Sequence, residues 1–176
     1  TADIDFSGYQ TMIGNTDFRY AGTFDGAYHT VKVAYAEPEY EYTALFQYLS
    51  GTVKNLRVEG TITTGKKYAA GIAGNLDGGT VDGCISAVSI ASSVDGDATH
   101  GGIAGTSTNN ATVQNSISAF TLRGELTTNC GGIVGWLSGT TYLYNNLFYW
   151  KTGKLYSQAA ASGGLQGLLN KYRQSR

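Results

Sequence analysis

The sequence predicts an all-β fold, a right-handed parallel β-helix of about five rungs, and three observations carry that expectation. One string recurs in near copy: "YAAGIAGNLDGGTV" from Tyr68, "HGGIAGTSTNNATV" from His100 and "CGGIVGWLSGTTYL" from Cys130. The composition suits short strands and tight turns, with 25 Gly, a lone Pro, abundant Tyr, Thr, Val and Ile, and only 14% charged residues. No stretch of the repeats sustains a helical period, whereas each unit holds three short β-like runs bounded by Gly, Asn or Ser-Gly turns.

The recurring apolar anchor is Leu45, Ile72, Ile103, Ile133 and, in "GGLQG", Leu165, spaced 27, 31, 30 and 32 residues apart. A fixed period near 30 marks an array architecture, in which each unit forms a rung and each strand pairs with its counterparts above and below. A second anchor follows at Val53, Val81, Val113 and Leu143, and two residues later Asn55, Gly83, Asn115 and Asn145 align. Asn and Gly tolerate the left-handed region best, so this position reads as a corner, its asparagines bonding the neighbouring rung's backbone. The glycines flanking Ile72, Ile103 and Ile133 are expected to supply positive φ at corners and close approach of stacked chains. The third run is ambiguous: Leu56, Val58 and Ile62 share a face, but the next unit offers both Val88/Ile90 and Ile85/Ala87. A bend or bulge would reconcile them.

At the N-terminal end, residues 1–42 break the unit pattern yet remain β-forming, with alternation at Val31 and Val33, and read as an atypical first rung. Residues 43–156 carry the repeats. "AEPEYEY" (Ala36 to Tyr42) reads as a solvated acidic loop or edge. In 157–176, Leu165, Leu168, Leu169 and Tyr172 form an i, i+3, i+4, i+7 stripe. It suits either a short amphipathic helix capping the open end or a last partial repeat.

The whole of 1–176 is expected to be one solenoid domain. A net charge of −1 with no basic stripe argues against a nucleic-acid partner. No apolar run approaches the roughly 18 residues that span a bilayer, which argues against membrane insertion. The chain opens at Thr1 without an initiator Met or a signal peptide. It is therefore expected to be an excised or processed piece of a larger parent chain with other domains. Cys84 and Cys130 form no CxxC unit and read as buried thiols or as a single disulfide.

Catalysis on a β-helix needs converging carboxylates, and stacked repeats bring equivalent positions within about 4.8 Å. Asp25, Glu59, Asp77, Asp82 and Glu125 fall at different repeat positions, so no enzyme is expected. Asp95 and Asp97 form the best acidic pair, but His100 stands where a calcium loop starting at Asp95 needs Gly, and no Glu follows at its twelfth position. No metal or other cofactor is expected. His100 aligns with Ala69 and Cys130, near enough for a Cys–His pair that lacks an orienting third group. Thr61, Thr63, Thr64, Thr121, Thr127 and Thr128 do not repeat rung by rung, which argues against an ice-binding array. The exception to this blandness is "YLYNNLFYW", with Trp136 nearby. Alternation sets Tyr142 and Tyr144 opposite Leu143, so Tyr142, Tyr144, Trp136 and Tyr149 are the candidate ligand-binding residues. Stacking on sugar rings and packing against another domain or the end of the core are the two uses open to them.

"GTFDGAYHTVKV", then "ALFQYLSGTVKNLRVEGTIT", then "GGIAG" with "ATVQNSIS", resemble the GLUG-motif repeat proteins over about residues 2–152. Tyr28-His29 departs from a more usual Gly-His pair. The resemblance implies a β-helical, adhesin-like module of a secreted or cell-surface bacterial protein, with no catalytic residues to carry over. The expected function is thus a non-catalytic spacer or adhesin module facing a host or matrix glycan or protein. A carbohydrate-binding module using exposed aromatics is the first alternative, and a polysaccharide lyase or glycosidase the second.

Overall fold

A computed structural model describes residues 2–149. The expected Leu165 anchor, the partial repeat or capping helix in 157–176, and Trp150 lie outside the described residues. The chain winds as a right-handed parallel β-helix of about five turns, with no helix among the described residues.

β1 (Ile4–Asp5) starts the coil beneath β3, and the first full turn then holds β2 (Thr23–Asp25) and β3 (Thr30–Ala36), with single bridges at Ile13 and Tyr20. The second holds β4 (Phe46–Leu49), β5 (Thr52–Lys54) and β6 (Arg57–Thr64), and the third β7 (Ala73–Asp77), β8 (Thr80–Asp82) and β9 (Ile85–Ser92). The fourth comprises β10 (Gly96–Asp97), β11 (Ala104–Thr108), β12 (Ala111–Gln114), β13 (Ile117–Ser118) and β14 (Thr121–Arg123). The fifth comprises β15 (Thr127–Thr128), β16 (Val134–Leu137), β17 (Thr141–Tyr144) and β18 (Leu147–Phe148).

Stacking these turns makes three main sheets, parallel throughout. A long-strand sheet runs β1-β3-β6-β9-β13-β18, with β14 also on β9; a glycine sheet runs β4-β7-β11-β16; a threonine sheet runs β2-β5-β8-β12-β17. A two-stranded sheet joins β10 to β15. The pairing levels Phe46, Ala73, Ala104 and Val134, which places the Leu45–Ile72–Ile103–Ile133 anchors in register. Val53, Val81, Val113 and Leu143 form one buried column. A buried aliphatic side chain contributes about 1.5–3 kcal/mol, so these columns are the chief source of stability.

In the third run, Ser86, Val88 and Ile90 point inward and Ile85 and Ala87 outward. No bulge intervenes: β6 and β9 pair without interruption from Arg57↔Ile85 to Thr64↔Ser92. The ambiguity came from Ser86, a polar side chain in a core column between Val58 and Ser118.

The repeat glycines act by close approach, not by φ. None of Gly71, Gly74, Gly102, Gly105, Gly132 or Gly135 has positive φ. A Cβ on Gly74, Gly105 or Gly135 would overlap the carbonyl oxygen of Tyr42, Tyr68 or Thr99 respectively, one turn below. A Cβ on Gly71, Gly102 or Gly132 would instead meet Ser86 Oγ, Ser118 Oγ or the Phe148 ring inside the coil. The left-handed corners fall elsewhere. One is the expected column of Asn55, Gly83, Asn115 and Asn145, at φ 52°, 61°, 52° and 51°. A second is Tyr42, Tyr68, Thr99 and Asn129, at φ 66°, 63°, 53° and 58°, and a third, between the glycine and threonine sheets, holds Gly78, Asn109 and Gly139 at φ 73°, 54° and 97°.

The Asn corner also differs from expectation in its bonding, which runs side chain to side chain. Asn55 Nδ2 donates to Asp25 Oδ1 at 3.1 Å, Asn115 Nδ2 to Asp82 Oδ1 at 2.8 Å, and Asn145 Nδ2 to Asn115 Oδ1 at 3.3 Å. The adjoining Asn146 bonds backbone instead, donating to the Val113 carbonyl at 2.7 Å.

Candidate functional site

Residues at one level of a solenoid share a column, so each outward column can be read along the coil. On the threonine sheet one column runs Thr23, Thr52, Thr80, Thr112 and then Tyr142. The next runs Asp25, Lys54, Asp82, Gln114 and then Tyr144. On the long-strand sheet, Thr30, Arg57, Ile85, Ile117 and Leu147 share a level. On the glycine sheet, Tyr48, Asn75 and Thr106 lead to Trp136. On the threonine and glycine sheets these columns end in large aromatic side chains in the fifth turn, whereas the long-strand column is already apolar from Ile85 onward.

The result is a girdle. Trp136 is 43% exposed, Tyr142 42%, Tyr144 41%, Leu147 58% and Tyr149 55%, well above what a core plug requires. Leu143 points inward between the two tyrosines, and Phe148 turns in beside Phe120 at 6.1 Å between ring centroids. Of the four candidate residues, Tyr142 and Tyr144 are brought together, their rings 6.2 Å apart and inclined by 11°. Trp136 stands on the glycine sheet, and Tyr149 follows β18 on the long-strand sheet.

The threonine column contains none of the clustered threonines Thr61, Thr63, Thr64, Thr121, Thr127 and Thr128. The signal was a Thr immediately before each of Val53, Val81 and Val113. A single file of hydroxyls flanked by Asp25, Lys54 and Asp82 is not a flat Thr array. Asp25 and Asp82 share one column, contrary to their expected separation, because residues 23–25 form a full member of the threonine sheet. Lys54 lies between them, its Nζ 3.3 Å from Asp25 Oδ2.

His100, the two cysteines and Asp97 are occupied structurally. His100 and Cys130 lie at one level of adjacent turns, joined by the Gly101–Gly131 bridge and by the Gly131 N–H donating to the His100 carbonyl at 2.8 Å. His100 is fully buried. The Ala69 N–H donates to its Nδ1 at 3.1 Å, so the ring proton sits on Nε2, which donates to Ser92 Oγ at 2.8 Å. Burial pushes the imidazole down to about 4 and the Cys130 thiol up to about 12, leaving both neutral. Such a thiol is not an activated nucleophile. Cys84 and Cys130 are both free and buried.

Asp97, from the acidic pair in the insertion loop, forms an ion pair with Lys67 at 2.7 Å and accepts from Thr99. Partial burial raises its carboxyl, but bonds from Lys67, Thr99 and Asn129 outweigh that and hold it below the ordinary value. Among the described residues, no group of three or more His, Cys, Asp or Glu side chains is placed to hold a metal. No helix among them is long and apolar enough to cross a membrane. No family model, curated protein or solved structure matches the chain.

Proposed function

We propose that this chain is a non-catalytic, adhesin-like module of a secreted or surface-displayed bacterial protein, a stiff coil that presents the fifth-turn girdle to a glycan or protein. The observation that carries the reading is the column switch. The threonine face stays polar for four turns and then places Tyr142 and Tyr144 side by side in solvent. Exposed aromatic rings cost solubility and are retained where something stacks on them. Stiffness follows from the register, since each turn is bonded to its neighbours on three faces. The resemblance to GLUG-motif repeats supports the surface setting and belongs to the same proposal.

A glycan-array screen of the protein beside a Tyr142→Ala/Tyr144→Ala double variant of equal unfolding midpoint tests it. Selective binding lost in the variant assigns glycan recognition to the fifth turn. Absence of binding by the intact protein removes glycan contact and leaves the girdle as a protein-docking or purely spacing surface.

A further inference from the structure

At the opposite end of the coil, the segment around residues 10–17 lies across the start of β4 and leaves a cleft of about 670 Å³ against Tyr40, Tyr42 and Tyr48. We propose that this cleft binds an organic cation, a quaternary or alkylated ammonium group. The cation would be held between the tyrosine rings and the carboxylates of Asp17 and Glu41.

The lining has a definite sign. It contains Asp17 and Glu41 but no Lys, Arg or His. Among the described residues neither carboxylate takes part in an ion pair, and the nearby Lys67 is committed to Asp97 at 2.7 Å. The rings supply the second half of the chemistry. Tyr42 and Tyr48 meet at 5.0 Å with a 51° tilt, forming an angled wall, and Tyr68 stacks on Tyr42 at 4.8 Å and 9°. Tyr40 is 63% exposed at the rim. Aromatic faces attract cations through their quadrupoles, most strongly where water is excluded, and methylated ammonium groups suit such walls best. Burial above all pushes the Tyr42 phenol up to about 12, so its ring stays neutral.

A neutral sugar would need free amides, and here those are largely spent on structure. Gln10 donates to the Ala34 carbonyl at 2.8 Å and accepts from the Ala36 N–H at 2.9 Å. Asn15 Oδ1 accepts from the N–H groups of Asp17 and Phe18, and Gln47 Nε2 donates to the Glu41 carbonyl. The same bonds make the cleft rigid. Ile13 adds to it by donating to the Leu45 carbonyl and accepting from Gln47 N–H, both at 2.8 Å. Met12 underlies one side, its Sδ accepting from the Ala44 N–H at 3.4 Å. A preformed, anionic, aromatic-walled cleft is what an ammonium guest requires.

The test is a titration of the intact chain with choline chloride, followed by calorimetry and by amide shifts around residues 10–17 and 40–48. The neutral choline analogue with carbon in place of nitrogen, and a panel of neutral monosaccharides, run beside it. Choline is expected to bind at least about tenfold more tightly than its neutral analogue. Asp17→Asn/Glu41→Gln is expected to lose about tenfold at low salt, as is the separate, surface-located Tyr40→Ala. A trimethyllysine peptide and phosphocholine then distinguish a protein side chain from a lipid or glycan headgroup as the natural source. The proposal is overturned if a folded protein gives no choline-dependent shifts at the cleft. Equal binding by the neutral analogue, or a monosaccharide occupying the cleft while choline does not, overturns it as well. The fifth-turn variants leave this binding unchanged, so its failure is separable from failure of the glycan reading.

Discussion

His100 makes the stability of this coil depend on pH in a window where carboxylates are silent. Its folded pKa is depressed to about 4 from 6.5 because burial disfavours the imidazolium, and because the neutral ring is committed at both nitrogens. Protonation would take the Nδ1 lone pair from the Ala69 N–H and leave a charge among buried groups. The unfolded chain therefore binds more protons than the folded one between pH 6.5 and about 4, and stability falls as pH falls through that range. Each unit is worth about 1.4 kcal/mol, so the loss between pH 7 and pH 5 is about 2 kcal/mol. Urea unfolding at pH 7, 6 and 5, with His100→Gln alongside, reads this directly. Gln keeps an acceptor for the Ala69 N–H and a donor for Ser92 Oγ but does not titrate. The expected result is a midpoint that drops toward pH 5 in the native chain and stays level in the variant. An equal drop in both, or no drop in either, refutes the assignment of a buried neutral histidine.

Gly105→Ala drives a Cβ into the Tyr68 carbonyl and should cost about 3 kcal/mol by denaturant unfolding, whereas Gly8→Ala, which meets nothing within 4 Å, should stay within about 0.5 kcal/mol. At the Asn corner, Asn115→Ala should cost about 2 kcal/mol, combining left-handed strain at φ 52° with the lost bond to Asp82, and Asn115→Gly about half of that, since glycine relieves the strain alone. The buried thiols, pushed up to about 11 at Cys84 and about 12 at Cys130, should resist an aromatic disulfide reagent at pH 8 in the folded chain and react fully in denaturant; rapid labelling of the native protein would contradict their burial.

The coil was legible in the chain because a solenoid repeats its chemistry locally. The Leu45–Ile72–Ile103–Ile133 and Val53–Val81–Val113–Leu143 columns, and the left-handed Asn55–Gly83–Asn115–Asn145 corner, are sequence periods that become spatial stacks without long-range search. The third run escaped because burial parity depends on neighbours. Ser86 is tolerated inward only because Gly71 leaves room for its Oγ, a contact between two faces of one turn. Of the two roles expected of the repeat glycines, close approach of stacked chains holds, at the Tyr42, Tyr68 and Thr99 carbonyls one turn below, whereas the positive φ falls at other positions, because the corners are set by how each turn bends. Alternation around Leu143 was enough to point Tyr142 and Tyr144 outward. That Trp136, Tyr142, Tyr144 and Leu147 fall on three faces of the same turn, and that Asp17 lines one cleft with Glu41, Tyr42 and Tyr48, required the winding itself. Sequence period determines which residues stack, since stacking is set by equal chain length per turn. What meets across the faces of a turn, or across its open end, is decided by how the coil bends at its corners, and that is a tertiary property.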